Sequence, residues 1–157
     1  MPLFVQKILG LVVDVDQATR KSRRAFVRNT WGNGLSFVFE KVRDAGLFAL
    51  ELNDRMAGAD WVKLGFPHQL QLRLGMHVGP VYPCHEPVTQ TMTCTGTHVT
   101  RAARIEPITP PGQVYASREF AAMAQVEGVS ELSCNYVGKM VLPKKSGVIQ
   151  TFRLEHT

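Results

Sequence analysis

Apolar positions along the chain repeat with two periods. Residues 3–13 (LFVQKILGLVV) place Phe4, Ile8 and Leu11 together with Val5, Leu9 and Val12 at spacings of three and four, which predicts an amphipathic helix ending near residues 14–18. Gly10 weakens that helix, and the basic segment 19–24 (TRKSRR) after it reads as a loop. Next come AFVRN, the turn WGNG and the run LSFVFE. Asn33-Gly34 between two β-prone runs predicts a hairpin, because both residues tolerate the positive φ of a two-residue turn. From Val42 to Met56 the period returns to three and four through Ala45, Ala49 and Leu52, with Phe48 beside them, predicting a second helix.

Residues 70–76 (LQLRLGM) alternate as a half-buried strand does. His77-Val78-Gly79-Pro80 ends it, a short strand follows at Val81-Tyr82, and residues 84–92 read as a polar loop. A helix is expected over residues 98–105 with Thr97 as N-cap, closed by Pro107, Pro110, Pro111 and Gly112. A strand at 113–116, a helix at 118–125 and strands at 132–137 and 149–154 complete the chain. Strands and helices that interleave with at least two antiparallel hairpins predict an α+β layered sheet.

Composition narrows this to a globular chain. Its 157 residues, 45% hydrophobic, suit a single domain over residues 1–157 with one core, without internal repeats. Eighteen Lys and Arg against thirteen Asp and Glu leave a net charge of +5, which favours anionic partners without demanding them. Arg20, Lys21, Arg23, Arg24 and Arg28 would serve a nucleic-acid module, but they lie mostly in one loop without interleaved aromatics, which argues against that reading. Cys84, Cys94 and Cys134 are odd in number and form no CxxC pair, so neither a disulfide framework nor a cysteine zinc site is indicated. No stretch reaches the roughly 18 to 20 apolar residues of a membrane span and no secretory leader is evident, so the expected compartment is the cytoplasm.

Four segments, in order, carry a resemblance: NTWGNGLSFVF, LRLGMHVGPVY, GTHVTRAARIEP and PPGQVYAS. Together they resemble the catalytic domain of class III adenylate and guanylate cyclases over residues 25–157, extending to the first helix. The resemblance implies a ferredoxin-like, mostly antiparallel sheet flanked by helices, here N-terminally truncated by the family's first strand. It also implies a homodimer, or a heterodimer with a cyclase-like chain, whose nucleotide sites draw on both subunits. The substrate implied is a purine nucleoside triphosphate, ATP or GTP, converted to cyclic nucleotide and pyrophosphate.

In that family two aspartates hold two Mg²⁺ or Mn²⁺ ions at the reacting phosphate. Asn33 stands at the second aspartate's place in GNG, where a neutral amide lacks the charge that hard cations favour. Asp14 and Asp16 do not replace the first: Asp16 stands 17 positions before Asn33, whereas a strand joined to the hairpin through a crossover helix needs a unit of about 30 residues. These two acids read as a solvated helix end. Arg104 matches the arginine that supports the phosphoryl transition state, and Thr100, one turn earlier, takes the place of an asparagine that orients the ribose. Lys144 matches the lysine that reaches the triphosphate, with Lys145 as its alternative. The base-selecting pair maps to Asn29 and Thr93; threonine suits adenine, asparagine suits neither purine, and the preference stays open. His77 reads as a hydrogen-bonded histidine at a strand end, and Trp31 and Phe39 as hairpin core. The expectation is a cyclase homology domain impaired or inactive alone, or else a regulatory half that completes a site with an aspartate-bearing partner.

Overall fold

A computed structural model of the chain describes residues 27–31, 34–88 and 90–157. The readings placed on residues 3–24, Asp14, Asp16 and Asn33 lie outside the described residues. The first described element is an antiparallel hairpin, β1 (Val27–Trp31) and β2 (Gly34–Val38), in a register that sets Asn29 opposite Ser36. Helix α1 (Val42–Gly58) follows, with Asp44 in its first turn and Arg55 in its last, both signs favourable to the helix dipole.

The principal sheet runs in the order β3 (Arg73–Met76), β6 (Gln113–Ser117), β8 (Val148–His156), β7 (Leu132–Val141). β3 pairs parallel with β6, and the other two pairings are antiparallel. A parallel pair needs a crossover, and here it contains a second hairpin, β4 (Tyr82–Glu86) with β5 (Thr91–Thr95), followed by helix α2 (Thr97–Ile105) and a 3₁₀ turn (Glu106–Ile108). Helix α3 (Arg118–Val126) leaves β6 directly, its N-terminus capped by Ser117 Oγ, which accepts from Phe120 N–H at 3.2 Å. The α+β architecture agrees with the pattern read from the sequence.

α1 joins the parts. Leu47, Leu50 and Ala49 pack with Val114, Ala116, Phe120 and Leu154 in the main core. Phe48 and Leu52 instead meet Phe37 and Phe39 from the hairpin side, Leu74 from β3 and Leu72 just before it, with the Phe48 ring 4.8 Å from Phe37 and 5.2 Å from Phe39. Phe39 is therefore core, as expected. At the C-terminal end of α1 the buried Trp61 donates its indole N–H to Met56 O at 2.9 Å, so the ring is buried without leaving its one donor unpaired.

Three boundaries differ from the sequence reading. Residues 84–92, expected as a loop, contain most of the β4–β5 hairpin, whose β4 residues are almost all exposed and give no apolar alternation to detect. The strand expected at 70–76 narrows to its last four residues. Thr97 is the first helical residue of α2 and not its cap: Gly96 flanks the helix at φ 129°, a conformation natural to glycine, and offers no side-chain bond.

Candidate functional site

Helix α2 presents Thr97, Thr100, Arg101 and Arg104 at spacings that stack on one side of a helix. With Leu142 and Ser146 these four line a cleft of about 210 Å³. Its far wall is the turn between β7 and β8, closed by Leu142 N–H donating to Gly147 O at 2.8 Å and Ser146 N–H to Pro143 O at 3.2 Å. Lys144 and Lys145 occupy that turn, both exposed and both at φ 55°. Left-handed backbone at two successive non-glycine residues is uncommon, and it reverses the chain at the mouth of the cleft. The lysines stand beside the cleft without lining it, whereas the neighbouring Ser146 does line it.

Among the described residues no acidic side chain lines this cleft. The nearest carboxylate in sequence, Glu106, is engaged by Arg73 at 2.9 Å. Arg104 Nε is buried and has no hydrogen-bond partner among the described residues. A buried unpaired donor is unfavourable by about 1 to 3 kcal/mol, more on a charged group, so a donor left in that state beside a hydroxyl-lined cleft suits an anionic ligand. A larger cleft of about 310 Å³ between α1 and the sheet has the opposite character. There His156 Nε2 meets Asp54 Oδ2 at 2.8 Å, Arg153 pairs with Glu155, and Asn53 donates to Gly112 O at 3.1 Å, so its polar groups satisfy one another.

The remaining sequence candidates fall elsewhere. Asn29 sits in the middle of β1 and Thr93 in the middle of β5, opposite Cys84, and these two strands approach each other in space. Asn33 lies outside the described residues. Among the described residues no group of three or more His, Cys, Asp or Glu side chains could hold a metal ion. At Asn33, which the resemblance matches to one of the family's metal aspartates, the side chain is a neutral amide, a poorer donor for a hard divalent cation than a carboxylate.

His77 is hydrogen-bonded at its strand end, as expected, but its principal partner was not foreseen. Its Nδ1 lies 2.7 Å from Ser117 Oγ and its Nε2 lies 2.8 Å from His98 Nδ1, with the two rings stacked at 5.1 Å. Burial lowers its pKa from 6.5 to about 4; Glu119 opposes that shift, while His98 and Arg101 add to it. Thr97 and Arg101 were findable from helical spacing around Thr100 and Arg104. His98, Ser117 and Ser146 join the site only through tertiary contacts.

A family model for the adenylate and guanylate cyclase catalytic domain matches residues 30–156, and the chain belongs to that family. Its fold is that of solved cyclases. It is similar to adenylate cyclases from Trypanosoma brucei in their monomeric state, at 16% identity over 96% of this chain and 78% of that one, with a TM-score of 0.78. It is similar also to the guanylate cyclase domain of RhGC from Catenaria anguillulae in complex with GTP, at 18% identity over 95% of this chain and 82% of that one, TM-score 0.74. A curated relative, named as the putative serine/threonine-protein kinase/receptor R826 of Acanthamoeba polyphaga mimivirus, is 24% identical over 123 residues, 68% of this chain. The matched part is 7% of that relative's length.

Proposed function

We propose that this cyclase homology domain supplies the arginine-bearing half of a composite nucleotidyl cyclase site and is inactive without an aspartate-bearing partner. The observation that carries the reading is the buried, unpartnered Nε of Arg104 in a cleft lined by Thr97, Thr100 and Ser146 and, among the described residues, by no acid. In cyclisation the ribose 3′-oxygen bonds to the α-phosphorus, the bond to pyrophosphate breaks, and the 3′ proton leaves. Negative charge grows on the phosphoryl oxygens during that exchange. A guanidinium held in place before the reaction stabilises it without reorganising. The Thr100 hydroxyl contacts the ribose at shorter reach than an amide, and Lys144 meets the triphosphate from the β7–β8 turn. Asn29 and Thr93, on the two approaching hairpins, contact the purine. In this reading the carboxylates and the Mg²⁺ or Mn²⁺ they would hold come from the partner chain, since Asn33 puts a neutral amide at the place of one of the family's metal aspartates.

The test mixes this chain with a cyclase catalytic domain that keeps its metal aspartates, lacks its own transition-state arginine and co-sediments with this chain. The expected result is cyclic nucleotide formation by the mixture and by neither chain alone, reduced about 100-fold by Arg104→Ala in this chain. A co-sedimenting mixture that is silent, or whose activity ignores Arg104→Ala, refutes the composite site.

A further inference from the structure

The first turn of α2 has few of the anchors a helix start normally has. Gly96 provides no capping side chain, the turn contains no acidic residue, and Ile105 at the far end is the helix's buried side chain. The C-terminal end is well held: Ile105 is fully buried and Thr109 Oγ–H donates to Ile105 O at 2.8 Å. The N-terminal end, which presents Thr97 and Thr100 to the cleft, is tied to the body of the fold by a side-chain contact, His98 Nδ1 to His77 Nε2 at 2.8 Å. His77 is in turn anchored at 2.7 Å to Ser117, the buried residue that caps α3.

We propose that His77 and His98 form a positioning relay that fixes the first turn of α2, and with it the Thr100 and Arg104 face, against the N-terminus of α3. The proposal rests on the reading of that face as a phosphate site. It concerns residues that act through α2 and touch no nucleotide. The N···N contact needs one proton between the rings. His77 donates from Nε2 while Ser117 donates to its Nδ1, or His98 donates from Nδ1 while His77 Nδ1 donates to Ser117. Both patterns keep His77 neutral, and a proton on both contacting nitrogens, His77 Nε2 and His98 Nδ1, would set two donors against each other. The charged groups around the pair are Arg101 on α2, which disfavours a proton on His77, and Glu119 on α3, whose carboxylate lies 3.9 Å from Nδ1 and favours one. Gly79 makes room for the relay, since a Cβ there would collide with the His98 ring.

The geometry gives two independent ways to break the contact and one to keep it. His98→Ala removes the ring. Gly79→Ala keeps both histidine residues and displaces the His98 ring. His98→Asn retains a polar atom near the former Nδ1. Each variant of the full chain is titrated with ATP and followed by amide hydrogen exchange at residues 100–102, whose N–H groups bond into the first turn. The expected result is a loss of ATP affinity of roughly fivefold for His98→Ala and Gly79→Ala, the size of one net hydrogen bond, with faster exchange at those amides. His98→Asn should stay near wild type in both readouts, and the amides of β6 and β8 should be unchanged throughout. Exchange at residues 100–102 that is identical in wild type, His98→Ala and Gly79→Ala overturns the relay. ATP binding that is absent, or indifferent to Arg104→Ala, overturns instead the phosphate reading of the face, and the exchange data still decide whether the pair pins the turn.

Discussion

Arg104 and His77 show how one physical cost, burying a polar group, resolves differently at two residues. His77 is buried and keeps its hydrogen bonds by remaining neutral, with its pKa lowered from 6.5 to about 4. An unfolded chain takes up that proton near pH 6.5, and the folded chain takes it up only near pH 4. Between those values the unfolded state binds more protons, so this contribution to stability is complete above about pH 6.5 and declines as the pH falls towards 4. Urea unfolding at pH 7 and pH 5 should show that decline in wild type and a smaller one in His77→Asn; equal declines would show that His77 is not its source. At Arg104 the cost is left uncompensated: its buried Nε has no hydrogen-bond partner among the described residues, and in the proposed function that donor is assigned to an anionic ligand. That Thr100 and Arg104 share a face was legible in the sequence because a spacing of four on a helix fixes it, while their candidate roles came from the resemblance. The His77–His98 contact was not, because a hydrogen bond between residues 21 apart depends on where α2 lands against β3.

At the scale of elements, the landing of α2 is set by a glycine. A Cβ on Gly75 would lie 2.7 Å from Glu106 N and 3.1 Å from Ala102 O, backbone atoms that cannot rotate away as a side chain can. Gly75→Ala should therefore destabilise the fold by about 1 to 3 kcal/mol through overpacking. Gly58 is the contrasting case, at the last residue of α1 with nothing within 4 Å of an added Cβ, and Gly58→Ala should be neutral or stabilising by up to about 1 kcal/mol. Denaturant midpoints of the two variants check both signs, and equal midpoints would refute the close approach. Helices α1 and α3 were legible within a few residues because their apolar stripes meet one large core. The β4–β5 hairpin was not, because a strand such as β4, with almost every side chain in solvent, is specified by its pairing and carries no period of two in the sequence.

For the molecule as a whole, the order of the four segments and the interleaving of strands with helices were enough to identify the cyclase fold, whereas in the proposed composite site the outcome depends on what each chain of a pair contributes. A pair made of this chain alone would carry Asn33 in both copies. An asparagine oxygen offers Mg²⁺ or Mn²⁺ a dipole where a carboxylate offers a full charge, and hard divalent ions in phosphoryl transfer depend on that charge to neutralise the reacting oxygens. A purified preparation of this chain alone should therefore convert ATP or GTP at a rate near background with either ion, well below the roughly 1 per second of an ordinary enzyme. On the proposed reading Asn33→Asp by itself should leave that rate near background, because one carboxylate would give half of a two-metal clamp. The same Asn33→Asp chain should nevertheless bind Mn²⁺ more tightly in a calorimetric titration, since a charged oxygen replaces a neutral one. Turnover by the wild-type chain alone at an enzymatic rate would show that its carboxylates are supplied from within the chain, and would overturn the assignment of the metal half to a partner.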